Sequence, residues 1–201
     1  MIFGVFSDLH GSVGKWNAVN ALAQQVDMLL SAGDITPVMK AKTPPILSIY
    51  GNHDDYENLK ENCILLEDGL TYHCAEIYAI NGNFAKTRRR PWHKTPAMIQ
   101  ELFKQHCAEI DIAVTHEPPH GVAWRKGRYA STCSEMVTDF FAEHKPKVWF
   151  YGHSYMDEAI QEIRSIKTVN VNRRFATYDV DAGELKVLEL PYDTLIRKVV
   201  E

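Results

Sequence analysis

Five short apolar runs recur along this 201-residue chain, and a polar side chain follows each of them. The runs are continuous rather than alternating, which is typical of strands that are covered on both faces. They span Ile2–Ser7, Met28–Ala32, Ile46–Tyr50, Ile112–Thr115 and Val148–Tyr151. Helical patterns lie between them, at about Val13–Gln25, Pro96–Cys107 (with Thr95 as N-cap) and Ser131–Glu143. The order of elements predicts an α/β protein with one mixed sheet or two stacked sheets and helices outside.

Two further segments indicate antiparallel hairpins. In the first, Cys63–Leu66 is followed by a turn at Asp68-Gly69 and then by Thr71–Ile80. In the second, Arg174–Val180 and Glu184–Leu190 flank the turn Asp181-Ala182-Gly183.

Length and composition restrict the class of protein. The length fits one domain, residues 1–201, and the net charge of −4 provides no global positive field for nucleic acid or membrane. The four cysteines form no CxxC pair, and no stretch approaches the roughly 18 apolar residues of a membrane span. The first residues lack the basic region of a secretory signal. We expect reduced thiols and a cytoplasmic location.

The polar residues after the five runs have the chemistry of metal ligands. They are Asp8 and His10, Asp34, Asn52 and His53, His116, and His153. Each alone is explained equally well by an ordinary turn or loop, but all five groups occupy the same position after a strand. Because ligands collect at the carboxyl ends of parallel strands, we expect one shared crevice. Carboxylate, imidazole and amide ligands suit two divalent ions such as Mn, Fe, Zn or Ni.

A metal pair would also supply the charge that an anionic substrate needs. Two divalent ions outweigh the carboxylates of Asp8 and Asp34 and make the site locally positive in a chain of net charge −4. Without metal the two carboxylates would repel each other, so we expect metal binding to stabilise the fold.

These residues lie in a series of motifs that resembles the calcineurin-like metallophosphoesterases. The motifs are SDLHG at 7–11, GD at 33–34, GNHDD at 51–55, THEPPHG at 115–121 and GHSY at 152–155. The resemblance implies a four-layer fold of two stacked mixed sheets flanked by helices. It implies that Asp8, His10 and Asp34 hold a first metal, and that Asp34 bridges to a second metal completed by Asn52, His116 and His153. His53 would lie beside the metals without ligating them.

The same resemblance implies a reaction. A metal pair lowers the pKa of a water molecule for in-line attack on phosphorus, and His53 protonates the leaving oxygen or stabilises its charge. Asp54 has two interpretations: it orients the ring of His53, or it is an exposed carboxylate at a helix start.

Tyr155 departs from the family pattern, which has Gly-His-x-His where this chain has Gly152-His153-Ser154-Tyr155. Three interpretations stay open for the first metal. It binds weakly through Asp8, His10 and Asp34 with water in the gap; Tyr155 ligates as a phenolate, which favours Fe³⁺; or Tyr155 only packs and the site is mononuclear or idle.

The substrate side of the sequence is less specific. Arg88, Arg89 and Arg90, in the predicted loop Lys86–Lys94, could bind a nucleotide phosphate or nucleic acid, or form a solvated loop, as could Arg125–Arg128. His120 is a candidate for the mouth of the substrate site.

We therefore expect a metal-dependent phosphoesterase whose partner is a phosphate-ester substrate, with a phosphodiester or a small phosphomonoester favoured over a protein. Two alternatives are a non-catalytic, retromer-subunit-like scaffold with a degenerate metal site, favoured by Tyr155, and a nuclease, favoured only by the basic loops. We expect no membrane partner, and the sequence leaves the oligomeric state open.

Overall fold

Two six-stranded mixed sheets form the centre of the computed structural model, which describes residues 1–40, 44–104, 109–125, 128–129 and 132–191. The first sheet contains β1 (Ile2–Phe6), β2 (Met28–Ser31), β3 (Ile46–Ser48), β4 (Ile64–Leu65), β15 (Arg174–Asp179) and β16 (Glu184–Glu189). The second contains β5 (Gly69–Tyr72), β6 (Glu76–Ile80), β9 (Ile112–Thr115), β12 (Val148–Tyr151), β13 (Ile160–Ile163) and β14 (Ile166–Asn170). Two-stranded ribbons pair β7 (Asn83–Phe84) with β8 (His93–Lys94) and β10 (Ala123–Arg125) with β11 (Arg128–Tyr129).

Parallel strands occupy the middle of each sheet. In the first sheet β1, β2, β3 and β4 are parallel neighbours in that order. In the second sheet β6, β9, β12 and β14 are parallel neighbours. The remaining strands pair antiparallel at the edges. The carboxyl ends of the central strands therefore gather at one edge of each sheet.

Three apolar clusters account for the layers. One lies between the two sheets and includes Phe3, Leu47, Val114 and Phe150, all fully buried. The others cover the outer sheet faces with helices: α1 (Val13–Leu22) and α2 (Tyr56–Asn62) on the first sheet, and α3 (Pro96–Leu102) and α4 (Thr132–His144) on the second. Because both faces of the central strands are buried, their sequences read as continuous apolar runs. The predicted four-layer α/β fold is confirmed.

The five predicted strands all form, within two residues of their expected ends. The hairpin of Arg174–Asp179 with Glu184–Glu189 also forms. The first hairpin prediction was wrong, because Ile64–Leu65 pairs in parallel with β3 in the first sheet. The hairpin instead joins β5 to β6 through a turn at residues 73–75. Asp68-Gly69 therefore marks the crossing between sheets.

The three predicted helices form at the expected positions with different lengths, and α2 (Tyr56–Asn62) was not predicted. The first ends at Leu22 and continues as a 3₁₀ turn over Ala23–Gln25. Thr95 caps the third as expected, accepting a hydrogen bond from the Met98 N–H, and this helix ends at Leu102. Ser131 and Cys107 lie outside the described residues. Among the helices of the described ranges, none is long and apolar enough to cross a membrane, and no disulfide joins the cysteines in those ranges.

Candidate metal centre

The candidate metal centre lies where the carboxyl ends of the two sets of parallel strands meet. Asp8, Asp34 and Asn52 follow β1, β2 and β3 of the first sheet, and His116 and His153 follow β9 and β12 of the second. Hydrogen bonds between backbone groups hold the loops against one another: the Asp8 N–H donates to Gly33 O at 3.0 Å, and the Gly152 N–H donates to His116 O at 3.2 Å.

Four of the predicted ligands form one compact cluster. Asp8, Asp34, His116 and His153 each offer a ligand atom, and these atoms all lie within 4.8 Å of one another. Asp8, Asp34 and His116 are almost completely buried. Buried carboxylates are costly unless they are paired or bind a cation, so this arrangement is typical of a metal site.

The imidazole of His116 is oriented by the opposite sheet. Its Nδ1 lies 2.8 Å from the carbonyl oxygen of Ala32, so Nδ1 must donate there and Nε2 faces the cluster. Nε2 lies 3.1 Å from Asn52 Oδ1 and 3.4 Å from Asp34 Oδ2. An imidazole nitrogen, an amide oxygen and a carboxylate oxygen therefore converge on one point, as in a divalent-metal site.

One carboxylate oxygen of Asp34 accepts a hydrogen bond, and the other has no hydrogen-bond partner. Its Oδ1 accepts the His53 N–H at 2.8 Å, whereas Oδ2 is buried without a hydrogen-bond partner. A buried carboxylate oxygen without a partner is destabilising, and a cation at this point would satisfy it. The residues present thus fit a metal ion.

The two carboxylate oxygens of Asp8 also have different partners. Oδ2 accepts hydrogen bonds from the Ser7 hydroxyl at 2.6 Å and the His153 N–H at 3.0 Å. Oδ1 faces His10, whose Nε2 is 3.7 Å away. His10 stands at the exposed rim of the cluster, and its ring lies edge-on to that of His53 with centroids 5.5 Å apart. Both side chains are exposed to solvent at this rim.

The backbone is strained at four of the predicted ligands. Asp8, His10, Asp34 and His153 have φ values between 48° and 58°, in the left-handed region that residues other than glycine seldom occupy. Such conformations cost about 1–3 kcal/mol each and concentrate at functional sites. All four residues lie in the loops that follow β1, β2 and β12.

The charges of the cluster depend on one another. Burial lowers the pKa of His116, but the carboxylates of Asp34 and Asp8 outweigh it and raise the pKa to about 10. Burial raises the pKa of both carboxyls, yet His116 and His10 bring each below its usual range. Burial and the charge of His116 lower the pKa of His153 to about 4. The two carboxylates thus favour the protonated form of His116, whereas burial and His116 favour the neutral form of His153.

Asp54 differs from both of its sequence interpretations. Its carboxylate accepts four backbone N–H groups, from Asp34, Ile35, Thr36 and Gly51, at 2.6–3.0 Å. The carboxylate that caps helix α2 belongs instead to Asp55. Asp54 thus joins the loops after β2 and β3, and positions the Asp34 and Asn52 segments rather than the ring of His53.

Tyr155 is half-exposed and packs under a cation. The guanidinium of Arg173 lies 4.9 Å from the centre of its ring. The ring lines a small hollow with Met156, Asp157 and Asn172. This contact favours packing over ligation by Tyr155, and the number of metal ions stays a prediction.

The candidate substrate residues lie outside the cluster. Arg88, Arg89 and Arg90 are exposed in the connection between β7 and β8. His120 is tied to helix α4, since its N–H donates to Thr138 Oγ1 at 2.8 Å. Arg125 and Arg128 lie in the β10–β11 ribbon rather than in a loop.

Two supporting residues were missed in the sequence. Asn81 follows β6 and its Oδ1 accepts the Tyr50 N–H at 3.0 Å, which fixes the approach to Gly51. Glu117 follows His116, and its carboxylate accepts from the Asn83 amide at 2.6 Å. Burial raises the pKa of Glu117. Only their positions in the sequence could have indicated these roles: Asn81 directly follows a buried strand, and Glu117 directly follows a predicted ligand.

Comparisons with known proteins agree with this geometry. A family model described as calcineurin-like phosphoesterase matches residues 1–157. No curated protein matches the sequence significantly. Among solved structures, the protein TT1561 of Thermus thermophilus has a TM-score of 0.65 at 15% identity, covering 94% of this chain and 99% of that one.

Two further structures share the fold. GAP50, described as the anchor in the inner membrane complex of Plasmodium, has a TM-score of 0.57 at 10% identity, covering 96% of this chain and 90% of that one. A novel archaeal phosphodiesterase has a TM-score of 0.50 at 13% identity, covering 94% and 100%. At these identities the likeness shows the fold alone.

Proposed function

Since this chain belongs to the calcineurin-like phosphoesterase family, we propose that it hydrolyses phosphate esters with divalent metal ions held at the cluster. The observation that carries the proposal is the convergence of Asp8, Asp34, His116 and His153 within 4.8 Å, with Asp34 Oδ2 buried and unpartnered. The unsatisfied Asp34 oxygen, in a loop with a strained backbone, favours a bound cation, which this reaction requires.

The side chains divide into two groups that would hold the metals. Asp8, His10 and Asp34 form the first, and Asp34, Asn52, His116 and His153 form the second. When bound there, divalent ions such as Mn, Fe, Zn or Ni would supply Lewis-acid chemistry that lowers the pKa of water and polarises a phosphoryl oxygen. The carbonyl of Ala32 accepts a hydrogen bond from Nδ1 of His116, and the carboxylate of Asp54 holds the backbone of Asp34. These contacts orient His116 and Asp34 as metal ligands before a metal binds.

We propose that His53 acts on the leaving group. Its backbone N–H donates to Asp34 Oδ1, while its ring is exposed beside that of His10. An exposed imidazole beside the reacting phosphate can donate a proton to the departing oxygen or stabilise its negative charge. His53 therefore serves as the general acid, and Asp54 is reassigned to positioning the loops.

The substrate is proposed to be a phosphodiester or a small phosphomonoester. The specific observation that favours a second candidate, a partner-binding scaffold with a degenerate first metal site, is Tyr155 packed under Arg173 where the family has a histidine. Nuclease activity has only the exposed arginines in its favour.

Hydrolysis of bis-p-nitrophenyl phosphate and p-nitrophenyl phosphate tests the proposal. We expect turnover of at least one ester with added Mn²⁺, its loss with chelator, and its return when metal is restored. No turnover with Mn, Fe, Zn or Ni would favour the scaffold. An Asp34→Asn variant, which keeps the volume of the side chain but removes its charge, should lose both turnover and bound metal.

A further inference from the structure

The first turn of helix α1 is tied to two of the loops that carry candidate metal ligands. The Nζ of Lys15 donates a hydrogen bond to the carbonyl oxygen of Asp8 at 2.8 Å. The indole N–H of Trp16, the next residue, donates to the carbonyl oxygen of Ile35 at 3.3 Å. A single turn of one helix therefore contacts both the loop after β1 and the loop after β2.

These two loops also bind each other through their backbones. The Asp8 N–H donates to Gly33 O and the His10 N–H donates to Asp34 O, both at 3.0 Å. The first metal group, which consists of Asp8, His10 and Asp34, therefore lies in one hydrogen-bonded unit of the first sheet. The second group differs, because it also draws two histidines from the second sheet.

The Asp8 carbonyl belongs to the most strained part of this unit. Asp8 has a φ of 56° and His10 has a φ of 48°, and residues that carry a side chain seldom adopt this left-handed conformation. With the backbone in this conformation, Asp8 Oδ1 lies 3.7 Å from His10 Nε2. A hydrogen bond from an ammonium group is stronger than one between neutral groups, so the contact with Lys15 can stabilise the strained loop.

Lys15 is itself held at both ends. Its backbone N–H donates to the hydroxyl of Ser12, the N-cap of α1, at 3.2 Å. The adjacent Trp16 is buried in the apolar cluster between the helices and the first sheet, where its ring lies edge-on to that of Phe6 with centroids 5.8 Å apart. The half-buried Lys15 side chain thus spans from an anchored helix to the loop after β1.

From these contacts we infer that Lys15 is a positioning residue for the first metal group. Its ammonium holds the Asp8 carbonyl and thereby keeps Asp8 and His10 in the conformation that brings their side chains together. This inference rests on the proposed function, because it assigns Lys15 a role toward the metals that this function requires.

Position and charge predict opposite results when Lys15 is changed. A positive charge near the site repels a divalent cation, so an effect dominated by charge would raise metal affinity when the ammonium is removed. An effect dominated by position would lower it, and the loss of a group that orients a ligand typically lowers metal affinity about 10–100-fold. The direction of the change therefore decides between the two roles.

Titration of the metal-free protein with Co²⁺, followed by calorimetry and visible absorption, tests the inference. Lys15→Met keeps the apolar stem without the ammonium, and we expect it to bind Co²⁺ about 10–100-fold more weakly. Lys15→Arg keeps a cationic donor and should recover most of the affinity. Lys60→Met, at an exposed lysine of helix α2, is the matched control and should bind Co²⁺ like the original protein.

Double variants show whether Lys15 acts through the first metal group. His10→Ala removes a member of that group, and Asn52→Ala removes a member of the second. Lys15→Met should weaken Co²⁺ binding further in the Asn52→Ala protein and add little in the His10→Ala protein, because only residues that act together are non-additive. A lysine that merely supports the fold would lower the affinity equally in both.

Unchanged or raised Co²⁺ affinity in Lys15→Met would overturn the inference, as would equal losses in the two double variants. Urea unfolding of the metal-free proteins shows whether each variant is folded, and Lys15→Gln replaces Lys15→Met in every comparison if the latter is not. Weaker Co²⁺ binding by Lys15→Met, with no ester hydrolysed by the original protein, would support this role and remove the proposed function. Ester hydrolysis by the original protein, with no effect of Lys15→Met on Co²⁺ binding, would do the reverse.

Discussion

His116 Nδ1 lies 2.8 Å from the carbonyl oxygen of Ala32, a hydrogen bond that joins the loop after β9 in the second sheet to the end of β2 in the first. The contact fixes both the tautomer and the ring plane of His116, since a carbonyl can only accept. Nε2 is thereby aimed at Asp34 and Asn52. The candidate metal centre is in this sense a product of how the two sheets dock.

Replacing His53 with alanine should separate metal binding from turnover. The ring of His53 lies at the exposed rim, and only its backbone N–H contacts Asp34. We expect metal content per chain to stay unchanged while kcat falls about 10²–10⁴-fold, the usual contribution of a general acid. Metal analysis and steady-state kinetics on the same preparation check this. Unchanged kcat would remove His53 from the mechanism.

Asp54 and its neighbour Asp55 offer a matched pair. Asp54→Ala leaves four backbone N–H groups without their acceptor, and we expect metal affinity to fall about 10–100-fold through the displaced loops. Asp55→Ala removes only the helix cap and should cost about 1 kcal/mol of unfolding free energy. Calorimetric metal titration and urea unfolding of both variants measure the two effects. Equal metal affinities would contradict the positioning role of Asp54.

Tyr155 can be tested by removing only its hydroxyl. If the side chain packs, as its contact with Arg173 indicates, Tyr155→Phe should keep the metal content of the original protein. Tyr155→His should increase occupancy of the first metal at limiting Mn²⁺. Loss of metal in Tyr155→Phe, or a visible phenolate–Fe³⁺ absorption band in the original protein, would show that Tyr155 is a ligand.

The ion pair of Asp111 with Lys147 should make the free energy of unfolding depend on pH whether or not metal is bound. Burial raises the pKa of Asp111, but Lys147, whose Nζ lies 2.6 Å away, and the Glu76 N–H together lower it below the usual value. Its contribution is therefore present above the unfolded-state pKa of about 3.9 and is lost as pH falls through the lower folded-state pKa.

The corresponding measurement compares urea unfolding of Asp111→Asn with the original protein. We expect the variant to be less stable by about 1 kcal/mol at pH 7, and the difference to shrink below about pH 4. A constant difference from pH 7 to pH 3 would show that charge is not the cause. Lys104→Gln, which removes an exposed ion pair with Glu101, is the control and should have little effect at any pH.

Chelation should lower thermal stability as well as activity. Metal would satisfy the orphan Asp34 Oδ2 and balance the charges of Asp8 and Asp34, and a ligand that binds only the folded state stabilises by about 2.7 kcal/mol at one hundred times its dissociation constant. Differential scanning calorimetry should show a midpoint that rises with Mn²⁺ concentration. A midpoint independent of metal would argue against binding at these residues.

The layers and the ligand cluster were predictable because they repeat a local pattern. A buried parallel strand is an uninterrupted apolar run, and the first few residues after it lie at the sheet edge, so Asp34 and His116 could be placed together from the sequence. The error at Cys63–Leu66 has a physical cause as well. A two-residue strand such as Ile64–Leu65 carries too few side chains to show which sheet it joins.

The role of Asp54 could not be predicted for a different reason. Its partners are backbone N–H groups, which every residue except proline possesses, so no residue type in the sequence marks them. The close approach of Gly82 and Asn83 to the carbonyl oxygen of Trp92 is likewise made by backbone atoms. Contacts made through the backbone become visible only when the chain is folded.

The donors of the candidate centre are spread from residue 8 to residue 153 and come from both sheets. No amino-terminal fragment shorter than about three quarters of the chain can contain them all. During synthesis, tight cation capture must therefore wait until the segment after β12 has emerged and docked. Ion uptake by a nascent chain would thus report completed assembly of the sandwich rather than the formation of either half.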